Sequence, residues 1–238
     1  MLLHIEHDAA ALAMLLDSPP PECASVAVRL GAPSEVLGFR IGGNPLDPRD
    51  DAEPWAFDPS LPGSLVFTWS GTLAPEPFAP DPRNWTRQGQ EAFAAFCDQV
   101  RPAMEREERT LCVQPHARHA LSDVQGALNF LRTRNGQPFG VAFAPASILT
   151  GSMLMEVDDH LTRAFETLGP LASAVVLEDV RPAPSAEDND AVQAVGLGEG
   201  ILPRELVRRL LEAHVPAETP LVIRSGAIDR QLAWLKGD

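Results

Sequence analysis

Short apolar runs alternate with longer stretches of helical periodicity through most of this chain, the pattern of strands feeding a parallel sheet through helices. The clearest runs are SLVFTW (Ser64 to Trp69), TLCVQ (Thr110 to Gln114), FGVAFA (Phe139 to Ala144), AVVLED (Ala174 to Asp179), AVQAVGL (Ala191 to Leu197) and PLVIR (Pro220 to Arg224). Between them the spacing changes from strand to helix. Phe93, Phe96, Val100 and Met104 predict a helix over about 87–107, with a kink or early break at Pro102. Ser122 caps a second helix that carries Val124, Leu128 and Leu131. Leu161, Phe165 and Leu168 mark a third over about 158–168, stopped by Gly169, and Pro203 opens a fourth before the last strand.

The first third is less regular. MLLHIE (Met1 to Glu6), SVAVRL (Ser25 to Leu30) and VLGFRI (Val36 to Ile41) each read as a strand, while the acidic, proline-rich stretch from Asn44 to Pro62 reads as a long ordered loop. Two of these three runs bring the strand count to eight. That count favours an α/β fold of the closed kind, one (β/α)8 TIM barrel spanning residues 1–238, over an open doubly wound sheet. No GxGxxG turn follows any strand, which weakens a dinucleotide-binding reading.

Charge and cysteine usage narrow the partners. A formal charge of −14 argues against nucleic acid or an anionic membrane as the main partner, and leaves a small-molecule ligand, a sugar or an anionic metabolite, in a locally basic pocket. Cys23, Cys97 and Cys112 are an odd number without CxxC spacing, as expected of free thiols in a reducing, cytoplasmic compartment. The apolar start is interrupted by His4, Glu6, His7 and Asp8 and reads as no signal peptide; no apolar run reaches membrane-spanning length.

Four segments carry a family pattern: VFTWSGTL with PRNWT (66–73 and 82–86), LCVQPHARHALSDVQGALNFLR (111–132), DHLTRAFETLGPLASAVVLEDVRP (159–182) and VGLGEGILPRELVRRLL (195–211). In order and spacing they resemble the xylose isomerase-like TIM barrels, in the sugar phosphate isomerase/epimerase branch, over residues 64–224. The resemblance implies proton or hydride transfer on a sugar at a divalent metal. Its ligands would be a Glu ending the fourth strand, an Asp ending the fifth, a His on the sixth and a Glu ending the eighth. Carried over singly, those positions fall on Gln114, Ala144, Val176 and Arg224. None offers a carboxylate or imidazole, so the expectation is a degenerate metal site with no metal ligands and no cofactor. Ser147 stands where a histidine often follows the fifth-strand aspartate. The GLGEG run (Gly196 to Gly200) does match the seventh-strand motif; its amides suit a phosphate or hydroxyl oxygen, or simply a tight turn before the helix.

The remaining candidates lie at predicted strand tips, where barrel chemistry is done. His116, Asp179 and Glu199 form the acid–base set for a metal-free activity, with His119 a weaker neighbour. Trp69 offers an aromatic wall to a sugar ring and Gln114 an amide, while Arg181, Arg224 and Arg40 concentrate positive charge. Arg224 either sets a fixed cation where a metal-binding glutamate is expected or closes a salt bridge to Asp179 or Glu199. Function therefore divides between an isomerase/epimerase-like enzyme of divergent site and a non-catalytic barrel that binds an anionic metabolite or a protein partner. An endonuclease on the same fold lacks its His/Asp/Glu set for three metals and meets the wrong charge.

Overall fold

A computed structural model describes residues 2–8, 23–47, 49, 55–183, 188 and 190–237. Eight strands close into a barrel. Around it they run β1 (Leu2–Asp8), β10 (Pro220–Arg224), β7 (Ala174–Leu177), β6 (Phe139–Phe143), β5 (Thr110–Gln114), β4 (Leu65–Trp69), β3 (Ala32–Ile41) and β2 (Cys23–Arg29). Two further strands, β8 (Asp179–Pro182) and β9 (Val192–Val195), form a small sheet of their own. The helices are α1 (Arg87–Arg106), α2 (Val124–Thr133), α3 (Val157–Leu168), α4 (Arg204–His214) and α5 (Ile228–Lys236). The α/β barrel expected from the alternation is present.

Its strand membership differs from the expectation at two points. All three N-terminal runs enter the barrel, with β2 antiparallel to both β1 and β3. Only Leu30 and Gly31 separate β2 from β3, and Gly31 takes φ 80°, so the chain must fold back as a hairpin and cannot make a parallel crossover. The second difference balances the first. The predicted strand Ala191 to Leu197 lies outside the barrel, where β9 pairs antiparallel with β8, and β7 pairs directly with β10. A parallel barrel strand is buried on both faces; β10 is buried at Leu221, Val222 and Ile223, whereas β9 exposes Gln193 and buries only Val195.

Side chains alternate in and out along each strand. The inward series is small, with Ala27, Cys112, Ala142, Ala174 and Val222 packed around Phe67. The outward series, including Val66, Leu111, Val113, Val141 and Val175, packs beneath the helices against residues such as Phe93, Met104 and Phe165. Truncating a fully buried side chain of this outer layer to Ala costs about 2–5 kcal/mol. Continued to the C-terminal strand ends, the inward series reaches Trp69 beyond Phe67, Gln114 beyond Cys112, Glu178 beyond Val176 and Arg224 beyond Val222. The fold thus turns a period of two into a polar ring at one barrel mouth.

Two local expectations shift. α1 runs through Pro102 to Arg106 without ending; Pro102 is exposed, so the backbone carbonyl it strands can face water. The cap of α2 is Asp123 rather than Ser122, its carboxylate accepting the Gly126 N–H at 2.7 Å. Among the described residues no helix is long and apolar enough to cross a membrane. Residues 48 and 50–54 of the predicted loop, and residues 184–187 and 189 before β9, lie outside the described residues.

Candidate functional site

The polar ring opens into a cavity of about 650 Å³ at the C-terminal mouth, lined among others by Glu6, Arg40, Trp69, Gln114, Glu178 and Arg224. Each comes from the inward face of a different strand end. Arg40 sits at the centre of the bonding pattern. Its Nε donates to Glu6 Oε1 at 2.7 Å and its Nη2 to Gln114 Oε1 at 2.9 Å, while its guanidinium carbon lies 5.4 Å from the Trp69 ring centroid. Its Nη1 is buried and has no hydrogen-bond partner among the described residues. Gln114 passes the chain on, its Nε2 donating to Ser147 Oγ at 3.0 Å. Ser25 of β2 donates to Glu6. Burial pushes the Glu6 carboxyl up, but the charge and hydrogen bond of Arg40, then Ser25 and the more distant Arg224, more than offset that and hold it below the usual carboxylate range.

Opposite this chain, Arg224 Nε donates to Glu178 Oε1 at 2.6 Å. The arginine is half-exposed and the glutamate buried. Of the adjacent pair at the end of the β7 run, Glu178 faces the mouth and Asp179 does not. The Asp179 carboxylate instead accepts backbone N–H groups from Val180, Gly198, Gly200 and Leu202 at 2.8–3.2 Å and is 1% exposed. The GLGEG amides of Gly198 and Gly200 are therefore committed to an internal carboxylate, not to a ligand. Glu199 reaches the cavity rim but bonds Arg230 at 2.7 Å, and Arg181 on β8 donates twice to Gln193 of β9 at 2.8 and 3.0 Å.

A second cavity of about 420 Å³ adjoins the first and shares Trp69, Glu178, Gln193, Ala194 and Arg224 with it. Its distinctive wall is aromatic. Trp69 stands edge-on to Phe78 and His116, ring centroids 5.5 Å apart in each case, and His119 stacks on Phe78 at 5.3 Å. Burial, with smaller contributions from His119 and Arg118, pushes His116 down to about 3; burial pushes His119 down to about 4 despite its bond to the Pro77 carbonyl. Both imidazoles are neutral near pH 7. The Arg118 backbone N–H reaches His116 Nδ1 at 3.2 Å, so Nδ1 is the acceptor and the proton sits on Nε2.

The structure therefore brings Trp69, Gln114, Arg181, Glu199 and Arg224 to one cavity and His116 to its neighbour, while Asp179 lines neither. The expected salt bridge of Arg224 forms with Glu178 rather than Asp179 or Glu199. Ala144 and Val176 are buried in the inward cluster. Sequence reasoning missed Glu6, Ser25 and Glu178 as site residues. The signal was available for Glu178, two positions beyond the inward-facing Val176; for Ser25 it required knowing that β2 is reversed.

No family model matches the sequence, and no curated protein is similar to it. Solved structures do resemble it. A probable 3-DHS dehydratase from Bacillus anthracis is 12% identical with a TM-score of 0.50, over 73% of this chain and 62% of that one. A 3-keto-D-glucoside 4-epimerase from E. coli is 16% identical with a TM-score of 0.49, over 74% and 65%. A xylose isomerase domain protein from Planctomyces limnophilus is 15% identical with a TM-score of 0.46, over 73% and 55%. The chain thus spans between 55% and 65% of the length of these three proteins. At such identities the likeness shows the fold alone, a TIM barrel.

Proposed function

On the scaffold of a xylose isomerase-like barrel, we propose that this protein binds a small anionic, polyhydroxylated metabolite, a sugar acid or sugar phosphate, through Arg40 and Arg224 and without a divalent metal. The observation that carries this reading is the buried, unpartnered Nη1 of Arg40 in a guanidinium otherwise fixed by Glu6 and Gln114. A buried donor left without a partner costs about 1–3 kcal/mol, which an acceptor oxygen of a ligand recovers. Arg224, half-exposed at the same mouth, supplies a second fork for a carboxylate or phosphate. Trp69 supplies a face for a ring, and the paired carboxylates accept from hydroxyl groups.

The donor set does not fit a divalent cation. The family's ligand positions hold Gln114, Ala144, Val176 and Arg224, and among the described residues no group of three or more His, Cys, Asp or Glu side chains is placed to hold an ion. Of the carboxylates that line the cavity, Glu6, Glu178 and Glu199 are each paired with an arginine. Each such pair is net neutral, so what the site offers an anion is the remaining N–H groups of Arg40 and Arg224 rather than net positive charge, while the paired carboxylates are engaged by guanidinium instead of a cation. The acid–base set of His116, Asp179 and Glu199 gains no support either, since Asp179 is occupied by backbone amides and Glu199 by Arg230. The reading is thus of a binding barrel rather than a metal-dependent isomerase.

Calorimetry with D-gluconate and D-glucose 6-phosphate, each with and without EDTA, tests it. The expected result is binding that survives chelation and falls at least tenfold in Arg224→Ala and Arg40→Lys, the latter keeping the charge but not the fork. Stoichiometric metal by plasma mass spectrometry, together with Mn²⁺-dependent isomerase turnover, overturns it.

A further inference from the structure

The two adjoining cavities differ in chemistry, and that difference specifies a second half of the ligand. Resting on the anion-binding reading above, we infer that the second cavity is a subsite for a neutral planar ring joined to the anionic sugar held in the first. The natural ligand class is then an aryl conjugate of a sugar acid rather than the free acid. The shared wall of Trp69, Glu178 and Arg224 makes the two volumes neighbours. A group seated against Trp69 extends from one into the other.

Four observations support a ring there. Trp69 and Phe78 meet nearly at right angles, 86° between planes, so a flat group stacked on one presents its edge to the other, both favoured aromatic geometries. Phe78 is a large apolar side chain left 44% exposed, which contact with a ring would cover. Apart from Arg224, whose fork serves the anion in the first cavity, the charged groups on this wall are already partnered: Arg118 bonds Asp188 and the Phe78 carbonyl, Glu178 accepts from Arg224, and Asp190 accepts from the Ser152 backbone. His116 is neutral and offers only an Nε2–H, a donor suited to a glycosidic or phenolic oxygen. With Arg224 engaged by the anion, a charged ring substituent would find no free counter-ion among the described residues of this wall.

The test compares D-glucuronate, 4-nitrophenyl β-D-glucuronide and 4-nitrophenol by calorimetry on the full chain. The expected result is that the glucuronide binds at least tenfold more tightly than glucuronate. In Phe78→Ala that advantage disappears while glucuronate binding stays unchanged. Because Phe78 is partly exposed, loss of fold is not expected, and near-ultraviolet circular dichroism checks it. Equal binding of glucuronate and its aryl conjugate overturns the ring subsite and leaves the anion site standing. An aryl advantage that persists in Phe78→Ala and in His116→Ala also overturns it. If neither glucuronate nor the glucuronide binds, the anion-binding reading and this one fall together.

Discussion

Glu6 on β1 and Arg40 on β3 meet at 2.7 Å although a whole strand, the reversed β2, lies between theirs in the barrel. Ser25 of that strand bonds the same glutamate oxygen, so the hairpin that departs from the parallel pattern also completes the network. Arg40 and Glu6 are largely buried, their side chains 11% and 17% exposed. A double-mutant cycle with Glu6→Gln and Arg40→Lys is expected to give a coupling of about 0.5–3 kcal/mol in urea denaturation. The folded-state pKa of Glu6 lies below its ordinary 4.5, so its contribution is present above that pH and is lost as pH falls further. Glu6→Gln should therefore weaken the protein at pH 7 and lose less on acidification to pH 3. An unchanged acid profile would show that the pair contributes nothing.

The imidazoles act in a different window. His116 and His119 stay neutral in the folded protein down to about 3 and about 4, whereas the unfolded chain takes up protons from 6.5. The unfolded state binds more protons between those values, so stability is full above pH 6.5 and declines below it, by about 1.4 kcal/mol per pH unit per imidazole. His4, lowered by burial, adds in the same direction. Urea midpoints are expected to fall between pH 7 and pH 5, and to fall less when both His116 and His119 are replaced by Gln. A midpoint that rises with acid, or an equal fall in the double variant, contradicts the assignment.

Asp179 is predicted to matter for folding and not for ligand affinity. Its carboxylate accepts from four backbone N–H groups, that of Val180 on β8 and those of Gly198, Gly200 and Leu202, which shape the turn from β9 to α4. Asp179→Asn replaces an oxygen with an NH₂ donor that must face amides, at a cost of about 1–3 kcal/mol. Where the variant remains folded, its affinity for gluconate should match the parent protein. A large loss of affinity without loss of stability would return Asp179 to the site.

The thiols offer an independent check on the core. Burial pushes Cys97 and Cys112 up to about 12, and both are free and buried. In a Cys23→Ser background the folded protein should be inert to Ellman's reagent at pH 8 and should release two thiols in urea. Fast reaction before unfolding would show that the barrel interior or the α1 face opens.

The barrel fold was legible because it rests on repetition. Strand runs such as TLCVQ and FGVAFA alternate with helix faces such as Phe93, Phe96, Val100 and Met104, and burial imposes those periods locally. The same period of two puts Trp69, Gln114 and Arg224 on the inward face at strand ends, and continued from Val176 it selects Glu178 over Asp179. Residue identity at the expected ligand positions likewise needs no coordinates: an amide, a methyl, an isopropyl and a guanidinium are not a metal-binding set.

Pairing across the sequence was decided elsewhere. Whether Ala191 to Leu197 enters the barrel depends on which neighbour β7 accepts, and β10, buried at Leu221, Val222 and Ile223, wins that edge over β9, which buries only Val195. Arg224 takes Glu178 as its partner because both side chains point into one mouth, a relation between residues 46 apart that no local pattern encodes. The sequence by itself determined the barrel, its inward faces and the chemical character of its polar ring. Only the tertiary structure decided which strands close the barrel and which charges neutralise each other, because strand partners and ion pairs are chosen by long-range packing rather than by the periodicity of any one segment.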